Sequence, residues 1–500
     1  MNKNENWIKF FLLAILTSMV LTSKAQIDTS WHFSAETQVT ASPAGKMPFW
    51  FRSGQYGNIP LSGTSGSVIG SVYKNYYGIE DGIDWSAGLQ LRANLGQQQK
   101  LTILQGYIKA STGIFELSAG RTNDVYGIVD TALSSGSFGI SGNALGIPKI
   151  SLGIPNYYTL PFFNKLFAIK GNYAYGFFGD ERISQSYALV KSATQYYQQN
   201  TLYVRLGREQ WKLKLFGGIN HNVMFGNEAK IYGPGWTLSP LKSTIFAAIG
   251  KTYYTPVKSD YEKFGGKVGN HVGSVDLGAQ YDFEYFSVLG YHQIIYDVGA
   301  IAKLANISDG ITGLSFTNKY EENDHINWHK FLIEFIYTKD QAGQFNSKSL
   351  SGDEDYYNDA EFATGWSYQG LNLGNPLLNS RTYTRDGLIN DPNDYIINNR
   401  IMAIHTGFQG SVDNVQLTLK LTYSQNFGTY GTAIEGHSTG PNHFPPTHGL
   451  FSRVDQFSGY AEAVKSFYNG LSGGLAIGYD NGGLYNNTLG IRFKLRKTFN

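Results

Sequence analysis

The chain ends in NTLGIRFKLRKTFN, residues 487–500, and this stretch decides the fold. Apolar side chains occupy every second position, with glycine or a basic residue at most positions between them. Successive side chains of a β-strand point to opposite faces. The apolar set is Leu489, Ile491, Phe493, Leu495 and Phe499, and the other set is Gly490, Arg492, Lys494 and Arg496. The stretch therefore predicts a strand with one face against lipid and the other against water.

The same alternation recurs along the chain. It is found in DWSAGLQLRANL (84–95), WKLKLFGGI (211–219), KFLIEFIYT (330–338), NVQLTLKLTYS (414–424) and LSGGLAIGY (471–479). These lengths suit membrane strands of about 9–11 residues. An alternating last strand that closes on a near-terminal Phe also resembles the signal read by outer-membrane insertion machinery. A soluble β-sandwich is the alternative, but the fold class that we predict is all-β, a closed antiparallel transmembrane β-barrel.

The composition agrees with a barrel. The 500 residues include 35 Tyr, 31 Phe, 8 Trp and 59 Gly, and no Cys. Membrane barrels combine an apolar exterior and a polar lumen with aromatic belts at the interfaces, and their closure stabilises the wall without disulfides. The formal net charge is only +2. Such a balance gives no indication of a nucleic-acid partner.

The first residues have the pattern of a secretory signal. Lys3 and Lys9 precede a mostly apolar run from Phe10 to Leu21, and Ser23-Lys24-Ala25 supplies small residues for cleavage. We expect residues 1–25 to be a signal peptide, with a retained interfacial anchor as the alternative. Residues 26–500 are then expected to form a single barrel domain. No later run reaches the roughly 18 apolar residues of a helical span.

Residues 41–62, ASPAGKMPFWFRSGQYGNIPLS, lack clean alternation. Pro43, Gly45 and Pro48 interrupt any long strand, while Trp50 and Phe51 call for burial. We expect a short helical or looped element packed at the periplasmic mouth of the barrel. The alternative is an ordinary loop before an early strand.

Several segments together resemble the Wzi-like capsule assembly proteins of Gram-negative outer membranes. They follow in the order found in that family and span most of the mature chain. The segments are MPFWFRSGQYGNIPLSGTSG (47–66), IPNYYTLPFFNKLFAIKGNYAYGFFGD (154–180), GREQWKLKLFGGINHNVMFGN (207–227), HKFLIEFIYTKDQAG (329–343), GWSYQGLNLGNPL (365–377) and NNRIMAIHTGFQG (398–410).

The resemblance implies a barrel of about 18 strands with short helices near the periplasmic end. It also implies a lectin-like protein that binds capsular polysaccharide at the cell surface and helps to organise it there. It does not imply an enzyme. Loop sequence varies widely among such proteins, so the resemblance does not identify the glycan.

The stretch 365–377 and the residues after it carry groups suited to sugars. Aromatic faces pack on the CH faces of sugar rings, while amide and guanidinium groups bind hydroxyls. The candidate polysaccharide-binding residues are Trp366, Tyr368, Asn372, Asn375, Arg381 and Arg400. The alternative places the two aromatics in an interface belt or in lumen packing, and pairs Arg400 with lumen acids.

Other candidate sites are weaker. The acidic run around Asp353–Glu361 lacks the spacing of a known calcium loop, and a solvated loop is favoured over a metal site. His437, His443 and His448 share one loop but are irregularly spaced for zinc. No GxSxG, HExxH or P-loop motif is found. We therefore predict no cofactor, no metal site and no catalytic site.

The leading hypothesis is an outer-membrane carbohydrate-binding protein that attaches or organises capsular polysaccharide. Its expected partners are that polysaccharide and outer-membrane lipid, and a monomer is expected because a closed barrel has no free sheet edge. The first alternative is a porin or oligosaccharide diffusion channel with an open lumen. The second is a hydrolase embedded in the barrel.

Overall fold

The computed structural model describes residues 31–43, 45–79, 82–96, 99–184, 188–255, 265–297, 299–320, 325–342, 354–439 and 442–499. The predicted signal peptide therefore lies outside the described residues.

Within the described residues, eighteen strands form one antiparallel sheet. Each strand pairs with its neighbours in chain order. The strands are β1 Trp31–Ala41, β2 Ser65–Lys74, β3 Asp84–Gly96, β4 Lys100–Thr112, β5 Phe115–Arg121, β6 Lys149–Thr159, β7 Phe167–Arg182, β8 Ser192–Leu206, β9 Leu213–Phe225, β10 Asn270–Asp282, β11 Phe286–Tyr296, β12 Gly310–Asn318, β13 Ile326–Tyr337, β14 Ile401–Val412, β15 Val415–Asn426, β16 Val454–Ser466, β17 Leu471–Gly482 and β18 Thr488–Phe499.

The first and last strands close the sheet into a barrel. β1 pairs antiparallel with β18 from Phe33 opposite Phe499 to Ala41 opposite Ile491. Closure satisfies the backbone hydrogen-bonding groups that a free sheet edge would leave unpaired. The predicted closed antiparallel barrel of about 18 strands is confirmed.

The two faces of the wall follow the sequence alternation. On β18, Phe493 is 54% exposed whereas its neighbour Arg492 is 4% exposed. On β3, Trp85 and Leu89 are exposed while Arg92 is buried. The apolar side chains thus face outwards and the polar side chains face the lumen, as the two-residue period predicts.

The connections between strands differ at the two rims. The rim at which β1 begins and β18 ends carries short turns such as 113–114, 283–285 and 413–414. The opposite rim carries the long connections 42–64, 122–148, 226–269, 338–400 and 427–453. We call these the short-turn rim and the long-connection rim. In outer-membrane barrels, short turns face the periplasm and longer loops face the exterior.

Three α-helices are found among the described residues, and all belong to long connections: α1 Phe49–Arg52, α2 Glu228–Tyr232 and α3 Pro240–Ala248. Short 3₁₀ turns occupy Phe163–Lys165, Gly233–Gly235, Ala300–Lys303, Tyr430–Thr432 and Tyr468–Gly470. Small hairpins pair Thr252–Tyr254 with Gly265–Lys267, Ser367–Tyr368 with Leu371–Asn372, Asn379–Ser380 with Ile396–Asn398, and His437–Thr439 with Asn442–Phe444.

We expect residues 41–62 at the periplasmic mouth, with the short helices near that end, but the described α-helices lie at the long-connection rim, which in outer-membrane barrels faces the exterior. β1 starts at the short-turn rim and crosses the wall, so the segment that follows Ala41 begins at the opposite rim. The segment does contain a short helix, α1, and it does bury Trp50 and Phe51.

Candidate functional site

The lumen at the long-connection end is filled by three connections that fold inwards. We call residues 47–59, 122–148 and 354–400 the luminal plug. Large side chains of all three segments are buried together in one core with the wall. Examples are Phe49, Trp50, Phe51, Leu133, Phe138, Tyr356, Tyr357 and Trp366.

Segment 122–148 is attached to the inner wall by two carboxylates. Oδ2 of Asp130, in the plug, accepts hydrogen bonds from Ser315 Oγ at 2.7 Å and Lys330 Nζ at 3.0 Å. Burial raises the pKa of Asp130, but the hydrogen bonds from these two wall residues outweigh burial and hold the pKa below its ordinary value. The Asp130 carboxylate therefore keeps its charge at neutral pH.

Glu334 of β13 makes the reciprocal contact from the wall. Its carboxylate accepts from Ser134 Oγ at 2.6 Å and from the Ser135 amide at 2.8 Å, both in the plug. It also accepts from Tyr291 Oη on the wall at 2.5 Å. A fully buried carboxylate with three donors fixes both the position and the orientation of the plug.

α1 is attached to strands β15, β17 and β18 of the wall. The indole Nε1 of Trp50 donates to Thr422 Oγ1 at 3.0 Å, and the backbone amide of Phe49 donates to Asp480 Oδ2 at 2.8 Å. Arg492 Nη2 donates to the carbonyl oxygen of Phe51 at 2.7 Å. The helix is four residues long, so these wall contacts determine its position more than its own backbone hydrogen bonds do.

Two wall glycines make room for Phe51. A Cβ atom at Gly478 would lie 2.9 Å from the Phe51 ring, and one at Gly490 would lie 3.0 Å from it and 2.7 Å from Pro48. A methyl group does not fit at either distance. Gly490 therefore has a packing role in the same alternating stretch that identifies the final strand.

Two of the predicted sugar-binding residues, Trp366 and Tyr368, lie inside the plug. Trp366 is fully buried, and its Nε1 donates to the Gly139 carbonyl at 2.9 Å. The ring of Tyr368 packs edge-on against Phe178, with centroids 5.4 Å apart, and its hydroxyl accepts from Arg121 at 3.2 Å. This geometry gives Trp366 no surface for stacking on a sugar. It favours the alternative in which the two aromatics pack in the lumen.

Asn372 and Asn375 have structural partners as well. Asn372 Nδ2 donates to the carbonyls of Asn375 at 2.9 Å and Leu378 at 2.8 Å. Asn375 Nδ2 donates to the Gly136 carbonyl at 2.5 Å, which joins the third plug segment to the second. Both side chains are buried, so their amides hold turns together in this structure.

The two predicted arginines differ in exposure. Arg400 is buried, lies 4.0 Å above the ring of Tyr430, and pairs with Glu435 at 3.6 Å. Its acid partner belongs to an outer connection and not to the lumen wall. Arg381 is exposed at the long-connection rim, and its Nη2 donates to the Asp391 and Asp394 carbonyls at 2.9 and 3.0 Å. Arg381 is exposed, whereas the other five predicted residues are buried.

The acidic run is partly buried, so the expectation of a solvated loop is wrong for its described residues. Glu354 is buried and accepts from the amides of Asp297 at 2.6 Å and Gly299 at 2.9 Å. Burial raises the pKa of Asp359 to about 6 and, with repulsion from Asp359, raises the pKa of Glu361 to about 8. Across the part of the chain that the structure describes, no three His, Cys, Asp or Glu residues form a metal-binding group.

Two small cavities lie between the plug and the wall. One, beside Lys149 and Tyr197, and another, beside Arg52 and Tyr485, each measure about 10 Å³. That volume holds about one water molecule. Neither of these two cavities accommodates a sugar ring.

The exposed surface near Arg381 brings two connections together. We define the outer-rim patch as Arg381, Ile389, Asp391, His448 and Leu450. Ile389 packs beside Gly449, where an added Cβ would lie 3.3 Å away, and His448 Nε2 lies 3.9 Å from Asp391 Oδ1. Ile389 and Leu450 are each over 40% exposed. The patch therefore offers apolar surface beside charged hydrogen-bonding groups, which is the mixture that a sugar requires.

Sequence reasoning missed segment 122–148 altogether. The available signal was the absence of alternation over the whole stretch between β5 and β6, combined with many small residues such as those in SSGSFGISG (134–142). A loop of that length with no secondary structure is uncommon and is often functional.

Comparisons with known proteins place the fold. No protein-family model and no curated protein sequence matches the chain. Among solved structures, the chain is similar to Wzi, an outer membrane protein involved in group 1 capsule assembly in Escherichia coli and a carbohydrate-binding β-barrel, at 11% identity and a TM-score of 0.54. That match covers 94% of this chain and 84% of that chain. The chain has the fold of an outer-membrane barrel.

Two further solved structures show lower similarity. OccAB4 of Acinetobacter baumannii is 9% identical with a TM-score of 0.45, over 94% of this chain and 97% of that chain. OccK5 of Pseudomonas aeruginosa is 10% identical with a TM-score of 0.44, over 95% of this chain and 99% of that chain. In the described residues, no helix has the length and apolar character needed to cross a membrane.

Proposed function

We propose that this chain is an outer-membrane protein that binds capsular polysaccharide at the cell surface and organises it there. The observation that carries the proposal is the luminal plug. Three connections occupy the long-connection end of the barrel and bury their aromatic and polar side chains against the wall. A binding protein needs no open lumen, whereas a diffusion channel does.

The exterior of the barrel supports membrane placement. Large apolar side chains such as Phe493, Leu489 and Leu215 are between 42% and 54% exposed on the outward face. Exposing such a belt to water would be unfavourable, and lipid removes that cost. The short-turn rim would then face the periplasm and the outer-rim patch would face the exterior.

The fold shared with Wzi supports the choice of ligand, because Wzi is a carbohydrate-binding β-barrel involved in capsule assembly. Contacts at the outer-rim patch would each be weak. A polysaccharide repeats its binding unit, so several weak contacts along one polymer, or several barrels on one chain, retain it at the surface. No catalytic step is part of the proposal.

The binding test uses purified full-length mature protein and capsular polysaccharide from the same cells. Arg381→Ala should weaken binding about tenfold, since a hydrogen bond to a charged group contributes about 1.5 kcal/mol or more. Arg208→Ala is the control, because half-buried Arg208 also donates to a carbonyl, that of Asn164 at 3.1 Å, but at the short-turn rim. Arg208→Ala should leave binding unchanged.

Two outcomes would overturn the proposal. One is failure of the wild-type protein to bind any surface polysaccharide of its own cell. The other is an unaltered capsule after deletion of the gene. Release of shortened glycan or acyl product, abolished by a single Ser or His substitution, would identify the hydrolase alternative instead.

A further inference from the structure

Helix α3 lies outside the barrel wall, against strands β8 and β9. On β9, the exposed residues Leu213, Leu215 and Ile219 establish that odd positions face outwards. Val223 and Phe225 continue that outward row, yet they are 0% and 2% exposed. They form a small core with Ala247 of α3, separate from the core of the lumen. The helix therefore covers part of the outer face of the wall.

Polar contacts fix the helix to the wall at the same place. Asn200 of β8 donates from Nδ2 to the Ala248 carbonyl at 3.3 Å. His221 of β9 contacts the Ala247 carbonyl through Nε2 at 3.4 Å and Tyr296 Oη through Nδ1 at 2.8 Å. Asn200 and His221 are outward positions on their strands, so their polar side chains would face lipid if α3 were absent.

The opposite face of α3 is apolar and exposed. Ser243 and Ala247 are the residues buried against the wall. Leu241, Ile245 and Ile249 are 71%, 47% and 67% exposed. Each lies two positions from a wall-facing residue, a rotation of about 200° at about 100° per residue, so the three form a stripe on the far side of the helix. We call this the α3 stripe.

The wall beside α3 carries outward aromatic residues at the level that the helix covers. Tyr196 of β8 pairs with both Phe177 of β7 and Phe225 of β9, so these residues lie at one height on the wall. Phe177 is 54% exposed there, and the ring of Tyr175 meets Phe225 edge-on with centroids 6.1 Å apart. The strand beside the helix thus shows outward aromatics at the level where α3 covers the wall. Aromatic residues at this level are typical of a membrane interface.

Basic residues flank the α3 stripe. Lys242 near its start and Lys251 just after it are exposed, and Lys251 Nζ lies 4.7 Å from the Phe246 ring centroid. An apolar stripe bordered by lysines is complementary to acyl chains below phosphate headgroups.

We propose that α3 is an interfacial helix whose α3 stripe binds outer-leaflet lipid, with acyl chains against Leu241, Ile245 and Ile249 and phosphates beside Lys242 and Lys251. The inference rests on the outer-membrane placement proposed above. It gives the connection between β9 and β10 a role distinct from polysaccharide binding: it fixes the depth and lateral orientation of the barrel in the outer leaflet.

The test uses single cysteines, which the native sequence makes simple because it contains no Cys. Ile245→Cys, Leu215→Cys and Asp386→Cys would each be spin-labelled in the full mature protein, reconstituted in vesicles of phosphatidylcholine and phosphatidylglycerol. Leu215 lies in the outward belt, and the Asp386 side chain is fully exposed at the long-connection rim. Collision rates with oxygen and with a water-soluble nickel chelate report lipid and water contact.

The expected ratio of oxygen to nickel collisions at Ile245 matches that at Leu215 and exceeds that at Asp386 severalfold. A water-exposed label at Ile245 beside a lipid-exposed label at Leu215 would overturn the role of α3 and leave the proposed function intact. A water-exposed label at Leu215 would overturn the membrane placement itself and both proposals with it.

Discussion

Substituting Glu334 by alanine should release segment 122–148 from the wall. The Glu334 carboxylate accepts two hydrogen bonds from the plug, at 2.6 Å from Ser134 and 2.8 Å from Ser135, in a fully buried site. Hydrogen bonds to a charged group contribute about 1.5–3 kcal/mol each. Loss of both therefore costs at least about 3 kcal/mol, which corresponds to about a hundredfold rise in the population of the undocked plug.

Hydrogen exchange read by mass spectrometry measures that population directly. Peptides covering residues 128–138 should exchange about a hundredfold faster in Glu334→Ala, while peptides from β17 and β18 keep their protection. Glu462→Ala is the matched control. Glu462 also sits on the inner wall, but its partner is Lys494 of another wall strand at 2.7 Å. Unchanged exchange in Glu334→Ala, or equal acceleration in Glu462→Ala, would refute the assignment of Glu334 as the plug anchor.

Three further outcomes are expected. Gly490→Ala puts a Cβ 2.7 Å from Pro48, so it should lower the free energy of unfolding in denaturant by about 1–3 kcal/mol. Gly66→Ala is the control, because its Cβ would meet open space, and it should change that free energy by less than about 0.5 kcal/mol. The pKa of Glu361 is raised to about 8, so the folded state holds this proton more tightly than the unfolded state does. Protease protection of residues 354–364 should therefore fall as the pH rises from about 5 through 8. Glu361→Gln should flatten that pH profile. In planar bilayers the wild-type protein should stay nearly silent, while deletion of residues 128–138 should produce steady conductance; a large wild-type conductance would instead support the channel alternative.

The wall could be predicted from the sequence because its pattern is local. In the stretch that ends at Phe499, the two-residue period alone separates outward Phe493 from inward Arg492, and the structure agrees. The same rule gives the correct faces for Trp85 and Arg92 on β3. The alternation within a single strand, together with the lipid environment, determines which of its side chains face outwards and which face the lumen.

The plug could not be predicted in this way because its packing is not local. Trp366 has the composition of a sugar platform around it, but its partners Gly139, Phe178 and Tyr197 come from distant parts of the chain. Residues 365–377 have no sequence periodicity from which those contacts could be predicted. Val223 and Phe225 are a second example. Their alternation correctly predicts that they face outwards, but it does not predict that helix α3 of the next connection buries them.

The plug and the wall residues that hold it lie far apart in the sequence. Ser134 is synthesised 200 residues before Glu334, the carboxylate that receives it. The contacts of segment 122–148 with the wall therefore join parts of the chain that are far apart in sequence, and such contacts form slowly. Until the strand that carries Glu334 is in place, segment 122–148 lacks one of the carboxylates that hold it in the lumen.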